Sequence, residues 1–221
     1  MGQTIVITGA NRGIGLAMAQ CWKVRGDRVI ATCRQPSDAL LDSGVEVIDG
    51  VNVSTPDGIA NLQAALGDTP VDMLYNNAGI MLSETVEDMD FEQIQEQFEV
   101  NTLGPLRVTM ALLSNLKSGS KVGLMTSRMG SIEDNTSGRK YGYRISKAGL
   151  NAAGKSLAID LQERGIAVAI LHPGWVKTDM TGHSGNLTAE QAAANLVARM
   201  DELTLENSGT FWHSDGSVLP W

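Results

Sequence analysis

Residues 4–15 read TIVITGANRGIG, a β-branched apolar run followed by a glycine-rich turn. The apolar run predicts a buried strand, and Gly9, Gly13 and Gly15 mark a turn that opens into a helix. Glycines at such a turn let the backbone approach a pyrophosphate, whose charge is favoured by the free N–H groups of the helix. The stretch therefore predicts a nucleotide-binding unit, although its G-x-x-x-G-x-G spacing departs from the commonest dinucleotide fingerprint, and glycines in a turn can be purely conformational.

The rest of the chain alternates short apolar runs with longer segments of helical periodicity. The predicted strands are residues 4–9, 28–33, 45–49, 71–76, 121–127, 166–173 and 209–213. The predicted helices are residues 14–24, 56–66, 91–117, 143–164 and 189–203, of which 91–117 is one long or bent helical region. This alternation implies right-handed βαβ crossovers, so we expect residues 1–221 to form a single α/β domain of the doubly wound Rossmann type, with a mainly parallel sheet of about seven strands.

The composition excludes several classes of protein. A net charge of −8 with no strong basic patch argues against nucleic acid or an anionic membrane as partner. No apolar stretch reaches the roughly 18 residues of a membrane helix. Cys21 and Cys33 are too few for a disulfide framework, which indicates a reduced, cytoplasmic setting. His172, His183 and His213 lack the spacing of a metal site, so no metal is expected.

The segment YGYRISKAGLNAAGKSLAIDL, residues 141–161, places Tyr143 four residues before Lys147 in a predicted helix. Side chains at this spacing lie on the same face with stems about 5–6 Å apart. A nearby cation favours the phenolate, so we expect Lys147 to lower the pKa of Tyr143 from its reference value near 10. The pair is typical of an acid–base site, but an ordinary amphipathic helix also produces this spacing by chance.

Several motifs occur together in the order found in one enzyme family. They are TGANRGIG at 8–15, NNAG at 76–79, NTLG at 101–104, a serine after the fifth predicted strand, Tyr143-x-x-x-Lys147 and PGWVKTD at 173–179. Over essentially its whole length the chain resembles the short-chain dehydrogenases/reductases. The strings MTSRMGSIEDNTSG and SDGSVLPW are most similar to the small carbonyl reductases related to the Sniffer protein and to the myxobacterial C-factor.

The resemblance implies a role for each matching residue. Tyr143 would be the general acid in carbonyl reduction, Ser127 would hydrogen-bond the carbonyl oxygen, Lys147 would lower the tyrosine pKa and bind the nicotinamide ribose, and Asn101 would hold a water that links Lys147 to solvent. A helix cap is the alternative role for Asn101. The implied cofactor-binding residues are Gly9, Asn11, Arg12, Gly13, Ile14, Gly15, Arg34, Asn52, Val53, Asn77, Ala78, Gly79, Tyr143, Lys147, Pro173, Gly174, Val176 and Thr178.

Two positions depart from the family pattern. The usual catalytic serine position, thirteen residues before the tyrosine, is Gly130 here, and we favour Ser127 because Ser127-Arg-Met-Gly130 matches the Ser-x-x-Gly pattern, with Ser131 as the alternative. Asn52 stands where an aspartate often accepts a bond from the adenine amine, and its amide oxygen could accept the same bond.

The end of the second strand indicates the cofactor. An acidic residue there usually accepts bonds from the adenosine ribose, but this chain has Cys33 followed by Arg34. Arg34 can bind a 2′-phosphate bidentately, and by resemblance Arg12 reaches the same group. We therefore expect NADP(H) to be preferred over NAD(H). Either arginine could instead be a solvated surface charge or pair with Asp38.

The resulting functional hypothesis is an NADP(H)-dependent oxidoreductase that reduces an aldehyde or ketone to an alcohol, or the reverse. The alternatives are a nucleotide-binding signalling protein of the C-factor type with little or no turnover, and an enoyl reductase or epimerase on the same scaffold. By resemblance we expect a homodimer or homotetramer, with the small residues of the 143–164 helix at its interface. Those small residues are Gly149, Ala152, Ala153, Gly154 and Ala158. The alternative is that they pack on the chain's own sheet.

Overall fold

The computed structural model describes residues 2–221, which form one α/β domain around a parallel sheet. Its strands are β1 Thr4–Thr8, β2 Arg28–Thr32, β3 Glu46–Ile48, β4 Val71–Asn76, β5 Leu116–Met125, β6 Ala167–His172 and β7 Phe211–His213. Their order is β3-β2-β1-β4-β5-β6-β7, with every neighbouring pair parallel. This arrangement confirms the predicted doubly wound fold with seven strands.

Within residues 2–221, seven α-helices cover the two faces of the sheet. They are α1 Gly13–Val24, α2 Asp38–Leu41, α3 Pro56–Leu66, α4 Phe91–Phe98, α5 Gly104–Ala111, α6 Tyr141–Asp160 and α7 Ala189–Glu202. One hydrophobic core lies between the sheet and α1 and α7, and the other lies between the sheet and α3, α5 and α6. Across residues 2–221, no helix is both long enough and apolar enough to cross a bilayer.

The long or bent helical region predicted over residues 91–117 is confirmed from Phe91 to Ala111 and is wrong at its end. A π-helical segment, Glu99–Leu103, separates α4 from α5, and α5 ends at Ala111. The side chain of Asn115 donates to the carbonyl oxygens of Gly67 and Thr69, at 2.7 and 2.9 Å, and so fixes the chain in a turn. β5 consequently begins at Leu116, five residues before the predicted strand.

The small residues of α6 mostly face the chain itself. A Cβ at Gly154 would lie 2.8 Å from side-chain atoms of Ile170 and Leu124, and one at Gly149 would lie 3.1 Å from Phe98. Ala158 is buried in the core beneath α6. Gly149, Gly154 and Ala158 therefore pack on the protein's own sheet and on the neighbouring α4, whereas Ala152 is exposed and Ala153 lines a groove between α5 and α6.

Candidate active site

The candidate site lies at the carboxyl edge of the sheet, where the strand order reverses between β1 and β4. Loops after parallel strands diverge at such a point and leave a crevice for a ligand. The glycine turn after β1, the NNAG segment after β4, Ser127 after β5 and the Pro173–Gly174 turn after β6 all reach this edge. The fold thus brings the predicted cofactor-binding and catalytic segments to one place.

The glycine turn is held against the segment that follows β4. Asn77 donates from Nδ2 to the carbonyl oxygens of Thr8 and Gly9, at 3.0 and 2.9 Å. A Cβ at Gly9, which has φ +64°, would lie 2.7 Å from Cα of Ala78, and a Cβ at Gly15 would lie 2.5 Å from Asn77 Nδ2. Both positions therefore require glycine, because a side chain would separate the two loops.

The start of α1 suits an anionic ligand. Arg12 occupies the N-cap position without a side-chain cap bond, and the first turn contains no acidic residue. The free N–H groups and the positive end of the helix can then bind a phosphate group. The residues present therefore fit the pyrophosphate of a dinucleotide, with Gly13, Ile14 and Gly15 at the turn.

Tyr143 and Lys147 lie on the buried face of α6, next to the end of β5. The Ser127 side chain lies near the Tyr143 hydroxyl, close enough to favour its ionised form. Lys147 Nζ lies 5.7 Å from the centroid of the Tyr143 ring and donates to the carbonyl oxygen of Met125 at 2.8 Å. Both side chains are buried, Tyr143 at 8% exposure and Lys147 at 3%. The structure thus brings the predicted phenol, ammonium and serine together.

The expected lowering of the tyrosine pKa does not occur in this structure. Burial raises the pKa of Tyr143 above its ordinary value, and the nearby Ser127 side chain offsets that rise only in part. Burial also lowers the pKa of Lys147 to about 7, so the cation on which the prediction depended is largely discharged above neutral pH. The four-residue spacing does bring Tyr143 and Lys147 together on α6. Their pKa values, however, are shifted more by the desolvation of each group than by attraction between opposite charges.

Asn101 lies in the π-helical segment and is buried. Its Oδ1 accepts from the Ile80 N–H at 2.8 Å, and its Nδ2 donates to the Ile80 carbonyl at 2.8 Å and to Ser146 Oγ at 3.0 Å. A Cβ added at Gly79 would lie 3.1 Å from Asn101 Oδ1 and 3.6 Å from Lys147 Nζ. Asn101 therefore lies close to Lys147 and ties the NNAG loop to α6. π-helical turns of this kind are frequent at functional sites.

Ser131, the alternative catalytic serine, is engaged away from Tyr143. Its Oγ donates to the carbonyl oxygen of Trp221 at 2.9 Å and accepts from the Asp134 N–H at 3.1 Å. The N–H groups of Ile132 and Glu133 donate to the same Trp221 oxygen, at 2.8 and 3.0 Å. Ser131 thus anchors the loop after Ser127 to the segment that follows β7.

The two arginines expected at the 2′-phosphate are both exposed but differ in their partners. Arg12 Nη1 forms an ion pair with Asp179 Oδ2 at 2.9 Å, which links the glycine turn to the loop after β6. Arg34 follows β2, and none of the ion pairs seen within residues 2–221 includes it. Asp38 begins α2 and pairs with neither arginine in those residues. Sequence reasoning missed the role of Asp179, which only the fold brings near Arg12.

Asn52 is a less available acceptor than the sequence indicated. Its Oδ1 already accepts from the N–H and the hydroxyl of Ser54, at 3.1 and 2.9 Å. Val53 is buried, and a Cβ at Gly104 would lie 2.8 Å from its Cγ2. Asn52 therefore shapes its own turn, as an Asx residue commonly does.

The loop after Pro173 and Gly174 covers the glycine turn. Val176 is buried and pairs with Leu187 in an isolated parallel bridge. A Cβ at Gly13 would lie 3.5 Å from Cγ2 of Thr178. Of the two implied cofactor-binding residues in this loop, Thr178 thus lies against the glycine turn, whereas Val176 is buried beside Leu187.

His172 lies at the end of β6. Its ring packs edge-on against His213 with centroids 5.0 Å apart, and its buried Nδ1 has no hydrogen-bond partner among residues 2–221. Burial lowers the pKa of His172 to about 3, with a further contribution from the neighbouring His213. No group of three or more potential ligand side chains within those residues is placed to bind a metal ion.

Comparison with known proteins places the chain in a family. The model of the short chain dehydrogenases matches residues 3–188, so the chain belongs to that family of oxidoreductases. It is similar to a 1-hydroxy-2-glutathionyl-2-methyl-3-butene dehydrogenase from Rhodococcus sp. (strain AD45), with 42% identity over 99% of both chains. It is also 44% identical to the C-signal of Myxococcus xanthus, over 69% of this chain and 93% of that protein.

Solved structures agree with the family and the fold. The carbonyl reductase Sniffer of D. melanogaster superposes with a TM-score of 0.90 at 30% identity, covering 100% of both chains. A carbonyl reductase from Pseudomonas aeruginosa PAO1 in complex with NADP superposes with a TM-score of 0.89 at 32% identity, again over 100% of both chains. The predicted resemblance to the Sniffer and C-factor group is confirmed.

Proposed function

We propose that this protein is an NADP(H)-dependent reductase that converts an aldehyde or ketone into an alcohol. The observation that carries the proposal is the buried set of Asn101, Ser127, Tyr143 and Lys147 beside a glycine turn that fits a pyrophosphate. The nicotinamide ring of the bound cofactor supplies the hydride. Ser127 orients the carbonyl oxygen and Tyr143 donates the proton that this oxygen takes up, so that the carbonyl, the hydride added to its carbon and this proton together give the alcohol.

Lys147 and Asn101 would then help to return a proton to Tyr143, the proton donor. With a pKa of about 7, Lys147 exchanges a proton readily near neutral pH and can reprotonate the tyrosine. Asn101 would hold a water for this resupply, although its own side-chain atoms already bond Ile80 and Ser146. Its fixed orientation suits a second task, which is to hold the NNAG loop at the correct distance from Lys147.

The preference for NADP(H) rests on the exposed guanidinium of Arg34. It follows β2 where an aspartate or glutamate would repel a 2′-phosphate, and the preceding Cys33 is buried and neutral. Arg12 would have to leave Asp179 to bind the same phosphate, so Arg34 is the main determinant. The P. aeruginosa carbonyl reductase bound to NADP is a solved structure similar to this chain.

The reverse reaction is the second candidate function. The Rhodococcus relative, 42% identical over nearly the whole chain, is named as the dehydrogenase of a glutathionyl alcohol. The same four residues catalyse alcohol oxidation when Tyr143 acts as the base. An alcohol with a bulky thioether substituent therefore joins simple carbonyl compounds as a candidate substrate. The match to C-signal favours a signalling role in addition, which turnover measurements separate from catalysis.

We also propose that the protein forms a dimer in the cytoplasm. A groove of about 560 Å³ lies between α5 and α6, with Leu106, Met110 and Leu157 in its lining. Exposed Ile145 and Ile159 extend the apolar face of α6. Covering this surface would favour association. Light scattering of the parent should give about twice 23.5 kDa, whereas a value near 23.5 kDa would contradict the dimer.

The proposed location in the cytoplasm is supported by the free thiols of Cys21 and Cys33, which suit a reducing compartment.

The catalytic proposal is tested by a substrate screen. Aldehydes, ketones and diketones are incubated with the protein and NADPH, and loss of reduced cofactor is followed by absorbance. The glutathionyl alcohol and simple alcohols are tested in parallel with NADP⁺ and NAD⁺. Turnover of at least one carbonyl compound or alcohol is expected. NADPH binding without any turnover would support the signalling alternative instead.

A further inference from the structure

Helix α6 begins without a local cap. Lys140 occupies its N-cap position with φ 53° and ψ 49°, and its side chain makes no cap bond. Arg139 before it also has a positive φ, of 57°. Two consecutive non-glycine residues in the left-handed region are strained, so the surrounding structure must hold them there. Tyr143 lies in the first turn that follows.

Glu84, from the loop after β4, supplies the missing acceptor. Its Oε2 accepts from the Gly142 N–H at 3.0 Å, and its main-chain oxygen accepts from the Lys140 N–H at 2.9 Å. The residue is only 1% exposed. The carboxylate thus satisfies one of the free N–H groups at the positive end of the catalytic helix. Glu84 holds the start of α6 at two points.

Gln97, in α4, fixes the other side of this carboxylate. Its Nε2 donates to Glu84 Oε1 at 2.5 Å, and its Oε1 accepts from the Leu82 N–H at 2.8 Å. Gln97 is fully buried. A Cβ at Gly142 would lie 2.9 Å from Cα of Ile94, so α6 starts in direct contact with α4. The start of the helix has little room to move while these bonds persist.

We propose that Glu84 is a positioning residue for the carbonyl reduction proposed above, because its carboxylate fixes the first turn of α6 and so holds the Tyr143 hydroxyl beside Ser127. The inference rests on the proposed function for its catalytic consequence. The loop that contains Glu84 also contains Ile80, whose N–H and carbonyl bond Asn101. One loop therefore fixes both the proton donor and the asparagine behind Lys147.

Two substitutions of Glu84 distinguish the effect of side-chain length from the effect of side-chain charge. Glu84→Asp keeps the negative charge but shortens the side chain, so it should lose the bond to Gly142. Glu84→Gln removes the charge and keeps the length, but it has one acceptor oxygen instead of two, so it keeps the bond to Gly142 only with its NH2 group turned towards Gln97. If position matters, Glu84→Asp should lower kcat on the order of 10- to 100-fold, as small misplacements of catalytic groups do, with little change in the Kd for NADPH. Glu84→Gln should lower kcat less than Glu84→Asp does, because its one oxygen can still accept from the Gly142 N–H.

Hydrogen exchange at residues 139–147 provides a readout that does not depend on turnover. Exchange in this segment should be faster in Glu84→Asp than in the parent, and intermediate between the two in Glu84→Gln. Glu87→Ala, an exposed position in the same loop, is the matched control and should change neither quantity.

The outcomes distinguish the two proposals. An active parent whose kcat is unchanged by Glu84→Asp, or is reduced as much by Glu84→Gln as by Glu84→Asp, overturns the role of Glu84 and leaves the proposed function intact. A lower melting temperature with an unchanged kcat also overturns it, since the residue would then be merely structural. A folded parent that binds NADPH but reduces no carbonyl overturns the proposed function and this catalytic role together.

Discussion

The two ends of the cofactor crevice hold their charged and polar groups in opposite ways. At the catalytic end, Tyr143, Lys147 and Asn101 are buried, and Lys147 and Asn101 have hydrogen-bond partners at 2.8 to 3.0 Å. At the other end, Arg12 and Arg34 are exposed, and Arg12 is paired with a carboxylate that is itself about half exposed. Burial shifts the pKa values of Tyr143 and Lys147, whereas the side chains of Arg12 and Arg34 stay in contact with solvent.

This difference separates catalysis from cofactor choice. Buried groups are positioned before the ligand arrives, so losing one removes a large part of the stabilisation of the transition state. Exposed guanidiniums exchange partners at small cost and contribute modestly each. We therefore expect substitutions at the catalytic end to have much larger effects than substitutions at the arginine end.

The largest effect is expected from Tyr143→Phe. The ring packs as before and only the proton donor is lost, so kcat should fall by about 10²–10⁴-fold, as is typical of removing a general acid. The Kd for NADPH, measured by fluorescence titration, should stay close to parental. Parental turnover by the phenylalanine variant would show that the buried set does not include the proton donor.

The next effect concerns stability and pH. The pKa of Lys147 is about 7 in the folded protein and 10.5 is its ordinary value, so between these values the unfolded state binds more protons. The free energy of unfolding attributable to Lys147 therefore rises with pH, by about 2–3 kcal/mol from pH 7 to pH 9. Urea unfolding of the cofactor-free parent and of Lys147→Met measures this contribution as the difference between their pH profiles. Parallel profiles would mean that Lys147 keeps its ordinary pKa.

A smaller effect should distinguish the two serines. Ser127→Ala removes the group expected to bond the carbonyl oxygen and should lower kcat about 10²-fold. Ser131→Ala should leave kcat nearly unchanged and cost ~1 kcal/mol of stability, because its hydroxyl bonds Trp221 and Asp134. Steady-state kinetics and thermal unfolding of the two variants test these expectations. A larger loss of kcat in Ser131→Ala than in Ser127→Ala would assign the catalytic role to Ser131.

The smallest effect is expected at the arginine end. Arg34→Ala should reduce the preference for NADPH over NADH by about tenfold, since a charge-assisted hydrogen bond to phosphate is lost. Arg12→Ala should change the preference less, because Arg12 must first leave Asp179. The ratio of kcat/KM for the two cofactors measures this, and an unchanged ratio in Arg34→Ala would remove Arg34 from cofactor choice.

The fold was predictable from local pattern, because the β-branched runs and the glycine turn specify strands and crossovers almost independently of the rest of the chain. α3 matches its prediction at both ends, since Thr55 and Pro56 set its start and Gly67 follows its end. The end of α5 was not predictable, because the bonds of Asn115 to Gly67 and Thr69 join residues about 48 positions apart.

The candidate site, like the fold, was only partly predictable from the local sequence. Motif spacing identified the residues that the fold brings together, but not how their surroundings change them. Burial of Lys147 reverses the expected electrostatics, the Ser54 bonds occupy Asn52, and Asp179 pairs with Arg12 from 167 residues away. Glu84 belongs to no motif, and its contact with Gly142 exists only because α4 packs on α6. Such contacts depend on tertiary structure, which local periodicity does not specify.

The central claim is that this buried set catalyses hydride transfer to a carbonyl carbon. It is tested most directly with NADPH deuterated at the transferring C4 position and the best carbonyl compound from the screen, followed by mass spectrometry and NMR of the product. We expect an alcohol that has one deuterium on its carbinol carbon and is formed in a single stereochemical configuration, with its formation strongly slowed in Tyr143→Phe. An unlabelled alcohol, or consumption of NADPH without an alcohol, would contradict the account.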